Sequence, residues 1–149
     1  MLAFELANRA YFAAFISDRG DAFFDEFSRR YDELLAEREA RHDAYYVLVD
    51  DDGDLLGRFN LYDIEDDTAE VGYRLAERVA GRGMATTGVR ELCRLAATEH
   101  GVRRLRARTT HENVASQRVL AKAGFVAAGS ADDVGGRRGI WFERELTQP

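Results

Sequence analysis

At about residue 45 the apolar pattern of this chain changes period, and that change limits the folds open to it. Before it, apolar side chains recur at helical spacing. Leu2, Leu6, Ala10, Ala13 and Ala14 mark a helix over residues 2–16, expected to end near 17–20. Phe23, Phe24, Phe27, Tyr31, Leu34 and Leu35 mark the buried side of a second helix that runs to about 41, with Asp21 as its expected cap. After the change, Tyr45-Tyr46-Val47-Leu48-Val49 is aromatic and β-branched, as a strand requires. Asp51-Asp52-Gly53-Asp54 reads as a turn, and 55–62 as the returning strand of a hairpin. A third strand over 69–75 follows the turn at Asp66-Asp67. A long helix is expected over 81–100, closed by Gly101. A strand over 102–109, a short helix over 113–123 and its closing Gly124 come next. Two strands, 125–129 and 138–146, joined by Asp132-Asp133-Val134-Gly135-Gly136, complete the chain. The order α-α-β-β-β-α-β-α-β-β describes an α/β sandwich, a mixed central sheet flanked by helices, and not a doubly wound nucleotide fold.

With 149 residues and no repeat or low-complexity linker, a single domain over 1–149 is expected. No apolar run approaches membrane-spanning length, and the first residues lack the pattern of a signal peptide, so a cytoplasmic location is expected. The single Cys93 rules out an internal disulfide and reads as a core residue. His42, His100 and His111 show no ligand spacing, and no metal is expected.

Charge is unevenly distributed. Residues 1–70 carry 19 acidic side chains against 7 arginines, whereas residues 71–149 carry 8 against 14 basic ones. The basic half suits a polyanion such as a nucleotide cofactor, and the acidic half suits a cationic amine. An uneven soluble surface without such partners is the plain alternative. Arg103, Arg104, Arg106 and Arg108 crowd one strand without interleaved aromatics, a poor platform for nucleic acid. Neither a nucleic-acid nor a membrane partner is expected.

The most informative segment is Arg78-Val79-Ala80-Gly81-Arg82-Gly83-Met84-Ala85-Thr86, between a strand and the long helix. Gly81 and Gly83 let backbone N–H groups approach an anion, and the helix start adds its free N–H groups and positive dipole end. Arg82 adds a charge and Thr86 a hydroxyl. Paired glycines before a helix also serve as ordinary turns. No Gly-Lys-Ser/Thr follows, so this is no P-loop, and the glycine spacing is not that of a dinucleotide fingerprint.

The string resembles the acetyl-coenzyme A signature of GNAT acetyltransferases, Arg/Gln-x-x-Gly-x-Gly/Ala, standing here as Arg78-x-x-Gly81-x-Gly83. A second stretch, from Asn113 through Ser116 and Lys122 to Gly124-Phe125, is similar to the Asn-x-x-Ser…Lys-x-Gly-Phe segment of the family's RimJ/RimL-like branch. The resemblance implies acetyl-coenzyme A as co-substrate, its pyrophosphate on the amides of 78–86, including Met84 and Ala85. It implies that the strand through Tyr73 and Leu75 splays from its neighbour and pairs with the pantetheine arm. It also implies that Asn113 bonds the pantetheine, with Lys122 reaching toward the phosphates. Family members normally begin with a strand before the first helix. Here that strand is expected to be missing: either it is dispensable, or the true start lies upstream.

The implied reaction is acetyl transfer from acetyl-coenzyme A to a primary amine by direct attack. It needs a proton acceptor, oxyanion donors and a donor near the leaving thiolate. Glu70 stands where the resemblance puts the base, and an exposed strand-end glutamate is the equal alternative. Ser116 is the implied donor to the sulfur, although Asn113 as helix cap and Ser116 at N3 also suffice as local structure. Many relatives carry a tyrosine four residues beyond this serine. Leu120 stands there instead. A backbone N–H near Tyr73 or Leu75 is the expected oxyanion donor. The acidic helices, including Asp18, Asp21, Asp25 and Glu26, lead to the expectation of a cationic acceptor, either a protein N-terminal α-amine or a small amine. The competing reading is a non-catalytic module that binds acyl-coenzyme A, which would not depend on Glu70 or Ser116. A homodimer is open to either.

Overall fold

The computed structural model describes residues 1–15 and 17–147. Four short helices come first: α1 (Leu2–Ala7), α2 (Arg9–Ala13), α3 (Asp21–Asp25) and α4 (Phe27–Glu37). They are followed by β1 (Ala44–Val49), β2 (Leu55–Glu65), β3 (Thr68–Leu75), α5 (Met84–His100), β4 (Arg104–Thr110), α6 (Val114–Lys122), β5 (Val126–Val134) and β6 (Arg137–Glu145). The sheet order is β1-β2-β3-β4-β6-β5. Among the described residues only β3 and β4 pair in parallel, and α5 makes the crossover that a parallel pair demands. The expected mixed sheet flanked by helices is therefore observed. Among the described residues, β1 has β2 as its only strand neighbour and forms a sheet edge.

The helical half is more broken than its apolar period implied. A single first helix was expected. Instead it is interrupted at Asn8, whose side chain donates to the Phe4 carbonyl and accepts from Glu77 N, both at 2.9 Å. Asparagine competes with the helix ladder in this way. Ile16, the expected last residue of that helix, lies outside the described residues. The second helix breaks at Glu26 (φ −101°) and ends at Glu37, short of residue 41. Gly20, not Asp21, occupies its N-cap, and Asp21 bonds Arg9 instead. The long helix begins at Met84 rather than residue 81, because positive φ at Gly81 and Gly83 keeps both outside it. The last two strands are longer than expected. They meet at the two-residue turn Gly135-Gly136, both at positive φ, where a five-residue connection was expected.

Most of the core lies between the sheet and α5 with α6. Leu61, Leu92, Leu105, Leu120, Val89 and Val102 are its most deeply buried side chains. Cys93 belongs to it, as expected, and burial pushes its thiol pKa up. Gly88 admits α5 close to the sheet, since a Cβ there would collide with the Phe59 ring. A smaller cluster of Phe4, Phe12, Leu56, Ala76 and Val79 ties the N-terminal helices down. Among the described residues no helix is long and apolar enough to cross a membrane.

Candidate active site

The pairing of β3 with β4 ends early. It runs from Thr68↔Arg104 to Val71↔Ala107, although β3 continues to Leu75 and β4 to Thr110. Beyond Val71, β3 stays with β2 while β4 stays with β6. Among the described residues, one edge of 72–75 is thus left without a strand neighbour, the splay that the sequence resemblance implied. A cleft of about 240 Å³ opens there, with Tyr73 and Leu75 from β3, Gly81 and Ala85 from the glycine loop and α5, and Asn113 and Ser116 from α6. Tyr11, Phe12 and Phe15 add an aromatic wall.

The loop that enters α5 turns through two glycines and presents the free amides of a helix start. Gly81 and Gly83 sit at φ +77° and +76°, which side chains rarely adopt. A Cβ at either would meet nothing within 4 Å, so backbone conformation and not crowding demands glycine, and that side is open. Gly83 caps α5 without any side-chain hydrogen bond, and the Thr87 N–H bonds the Gly83 carbonyl at 3.1 Å. Geometry leaves the N–H groups of Met84, Ala85 and Thr86 without helical acceptors. Three N–H groups at the head of a 17-residue helix, beside Arg82, fit the pyrophosphate of coenzyme A.

Asn113 caps α6, its Oδ1 accepting from Ser116 N at 3.1 Å, so the local role expected of this pair is real. That leaves the Asn113 amide nitrogen as the atom able to donate to a ligand. The Ser116 hydroxyl lies 2.9 Å from that of Tyr73. The Tyr73 ring stacks on Phe59 at 5.8 Å, and burial pushes its pKa up to about 12, partly offset by the Ser116 hydrogen bond. Sequence reasoning noted the absence of tyrosine at 120 but did not find that Tyr73 brings a phenol to Ser116 from another element. Strand alternation would have placed Tyr73 on the α5 side, but no sequence signal fixes its distance to α6.

Glu70 stands one residue before the splay, its Oε1 accepting from Arg108 Nε at 2.8 Å. It does not line the cleft that holds Ser116. By strand alternation it shares the opposite face of β3 with Gly72 and Arg74. Arg78 reaches toward Asp50, 3.6 Å away, and Arg82 and Met84 border a groove between β1 and α5. Lys122 ends α6 at the far end from Asn113 and Ser116, and its carbonyl accepts from Arg90.

On that opposite face, buried Glu5 bridges Arg58 (2.9 Å) and Arg74 (3.0 Å). Burial, then the like charge of Arg58, lowers the Arg74 pKa to about 10. Three of the four acidic residues named for the expected cationic acceptor are engaged within the chain: Asp18 and Asp21 bind Arg9, and Glu26 binds Arg29 and Arg30.

A sheet split between parallel β3 and β4, with a glycine loop and helix start at the gap, defines an acyl-coenzyme A transferase architecture. The chain belongs to the GNAT acetyltransferase family, whose acetyltransferase (GNAT) domain profile matches residues 3–126. It is thus an acetyl-coenzyme A-dependent N-acetyltransferase. It is 30% identical to the probable N-acetyltransferase YjcK of Bacillus subtilis (strain 168), over 97% of this chain and 83% of that protein. Its fold is similar to that of the ribosomal-protein-S5-alanine acetyltransferase from Vibrio fischeri (TM-score 0.84, 23% identity, 97% of this chain and 85% of that one). It is also similar to Mycobacterium smegmatis RimJ, solved with a coenzyme A disulfide (TM-score 0.83, 22% identity, 97% and 75%).

Proposed function

We propose that this chain transfers acetyl from acetyl-coenzyme A to the primary amine of a protein N-terminus or a small molecule, by direct attack within a ternary complex. The observation that carries this reading is the parting of β3 and β4 at Val71↔Ala107, beside a glycine loop with unpaired amides. The pyrophosphate sits on the amides of Met84, Ala85 and Thr86, with Gly81, Arg82 and Gly83 around it and Arg78 and Lys122 at the periphery. The pantetheine arm lies along 72–75 as a substitute strand, with the Asn113 amide donating to it.

The neutral amine attacks the thioester carbon. A carbon–nitrogen bond forms, and the carbonyl oxygen takes the negative charge, stabilised by a β3 backbone N–H near Tyr73 or Leu75. Collapse breaks the carbon–sulfur bond. The Tyr73–Ser116 hydroxyl pair donates a hydrogen bond to the leaving thiolate. A phenol near pKa 12 is a weaker acid than a thiol of about 8.5, so it stabilises the sulfur anion more than it protonates it. Glu70 accepts the amine's proton through a water. Of the acidic side chains that suggested a cationic acceptor, Asp18, Asp21 and Glu26 already hold arginines.

Calorimetric titration with acetyl-coenzyme A tests the reading, with Arg82→Glu/Gly83→Asp as control. Binding in the micromolar range, about −8 kcal/mol, that vanishes in the control is the expected result. Absence of binding by the folded protein would overturn it. Glu70→Gln and Ser116→Ala should keep that binding while turnover falls, less for Ser116→Ala because the Tyr73 phenol remains; full turnover in both would remove these residues from the mechanism.

A further inference from the structure

A second cavity, of about 330 Å³, lies on the face of the sheet away from α5. Arg58, Asn60 and Tyr62 of β2 reach it because they alternate with Phe59 and Leu61, which belong to the α5 core. α3 and α4 cover it with Phe23, Phe27 and Tyr31. Its wall carries five arginines, Arg19, Arg30, Arg41, Arg58 and Arg74, against the single carboxylate of Glu5.

The balance of charge there is incomplete. Arg30 is held by Glu26 at 2.7 Å and Arg41 by Asp43 at 3.4 Å. Arg58 and Arg74, 17% and 19% exposed, share one carboxylate between two guanidinium groups. Arg19 has no carboxylate partner among the described residues, and its guanidinium lies 4.8 Å from the centre of the Phe23 ring. The lowered proton affinity of Arg74 has Arg58 and Arg19 among its causes, so positive charge crowds this wall. A partly buried excess of positive charge is a standing demand for an anion. Arg74 also lines the cleft that holds Tyr73 and Ser116, so one side chain borders both spaces.

We propose that this cavity recognises the acceptor by a negative charge: the substrate is an amine that also carries a carboxylate, seated on Arg19, Arg58 and Arg74 beside the aromatic wall. The proposal deepens the acetyltransferase reading and rests on it for the identity of the amine as acceptor. The carboxylate accepts the guanidinium hydrogen bonds that Glu5 leaves over. The amine extends past Arg74 toward the gap between β3 and β4. An acidic protein N-terminus and a free amino carboxylate share this chemistry.

The test is calorimetric binding to the whole chain without acetyl-coenzyme A. One arm compares the C-terminally amidated peptides Ser-Glu-Asp-Phe, Ser-Gln-Asn-Phe and Ser-Lys-Lys-Phe. The other compares phenylalanine with phenylalaninamide. In at least one arm the carboxylate-bearing member is expected to bind roughly tenfold more tightly than its amide. The arm that shows the difference identifies the source. Arg19→Glu and Arg30→Glu, both at exposed positions, should keep the melting temperature and reduce that preference. Equal binding of acid and amide in both arms, or tighter binding of the lysine peptide, overturns the proposal. So does an acidic preference unchanged in both variants. Acetyl-coenzyme A is titrated separately. Its failure to bind with the acidic preference intact would overturn acetyl transfer and leave the cavity assignment standing.

Discussion

The Tyr73 hydroxyl lies 2.9 Å from the Ser116 hydroxyl, across the gap between a strand and a helix 43 residues apart in sequence. Either can donate to the other, so one proton of the pair remains available to a third atom in the cleft. Stacking on Phe59 fixes the tyrosine, and the Asn113 cap fixes the first turn of α6 that carries the serine. The pair is therefore held in place before any substrate arrives, which is what hydrogen-bond stabilisation of a leaving group requires.

Tyr73→Phe is expected to lower kcat by about tenfold to a hundredfold with little change in KM for acetyl-coenzyme A. Ser116→Ala should cost less, because the phenol remains. The double variant should be little worse than Tyr73→Phe alone, since the two hydroxyls act as one donor. Steady-state kinetics by thiol release measures all three, and strictly additive losses would show that the hydroxyls act separately.

Alkaline stability should report the buried phenol. The folded-state pKa of Tyr73, about 12, lies above its ordinary value of 10.0. Between these values the unfolded chain releases the proton first, so unfolding gains ground as pH rises. The contribution is fully present below pH 10 and disappears as pH climbs toward 12. Urea unfolding of wild type and Tyr73→Phe across this window should converge in stability, because the variant lacks that component.

Two glycines make separable predictions. Gly88→Ala pushes a methyl into the Phe59 ring and should destabilise by about 1–3 kcal/mol, read by denaturant unfolding. Gly83→Ala has open space around the new methyl but a φ of +76°, so it should cost about 1 kcal/mol. Its larger effect should be on acetyl-coenzyme A affinity, because relaxing that φ moves the amides at the head of α5.

Glu5→Gln leaves two buried guanidinium groups without their counter-charge. Removing one partner from a buried ion network typically costs about 3 kcal/mol or more. A large fall in the denaturant midpoint with an unchanged slope is expected. A loss under about 0.5 kcal/mol would show that water already screens Arg58 and Arg74.

The change of period near residue 45 made the helical half and the strand-rich half legible, and the glycines at 81, 83, 101 and 124 located the ends of α5 and α6. Helix continuity was less legible. The apolar spacing of residues 2–16 is satisfied equally by one helix or by two, and the break at Asn8 depends on Glu77, far away in sequence. The strands around Gly135-Gly136 extended further than their composition suggested, because pairing with a partner strand supplies what local propensity does not.

The candidate site divides in the same way. The loop from Arg78 to Thr86 is a contiguous string whose glycines, charge and helix start declare themselves without any fold, because φ preference and helix-end polarity are local properties. The splay at Val71, the Tyr73–Ser116 pair and the arginine wall around Glu5 are relations between elements, and no local rule specifies them. Acidic composition pointed to a cationic acceptor. Folding turned Asp18, Asp21 and Glu26 onto neighbouring arginines and left a surplus of guanidinium groups on the wall of the cavity beside Glu5. The sequence by itself determined the glycines and the helix start that leave free backbone amides at the head of α5. Only the tertiary structure decided which charges remain uncompensated, because compensation depends on distances that the order of residues does not contain.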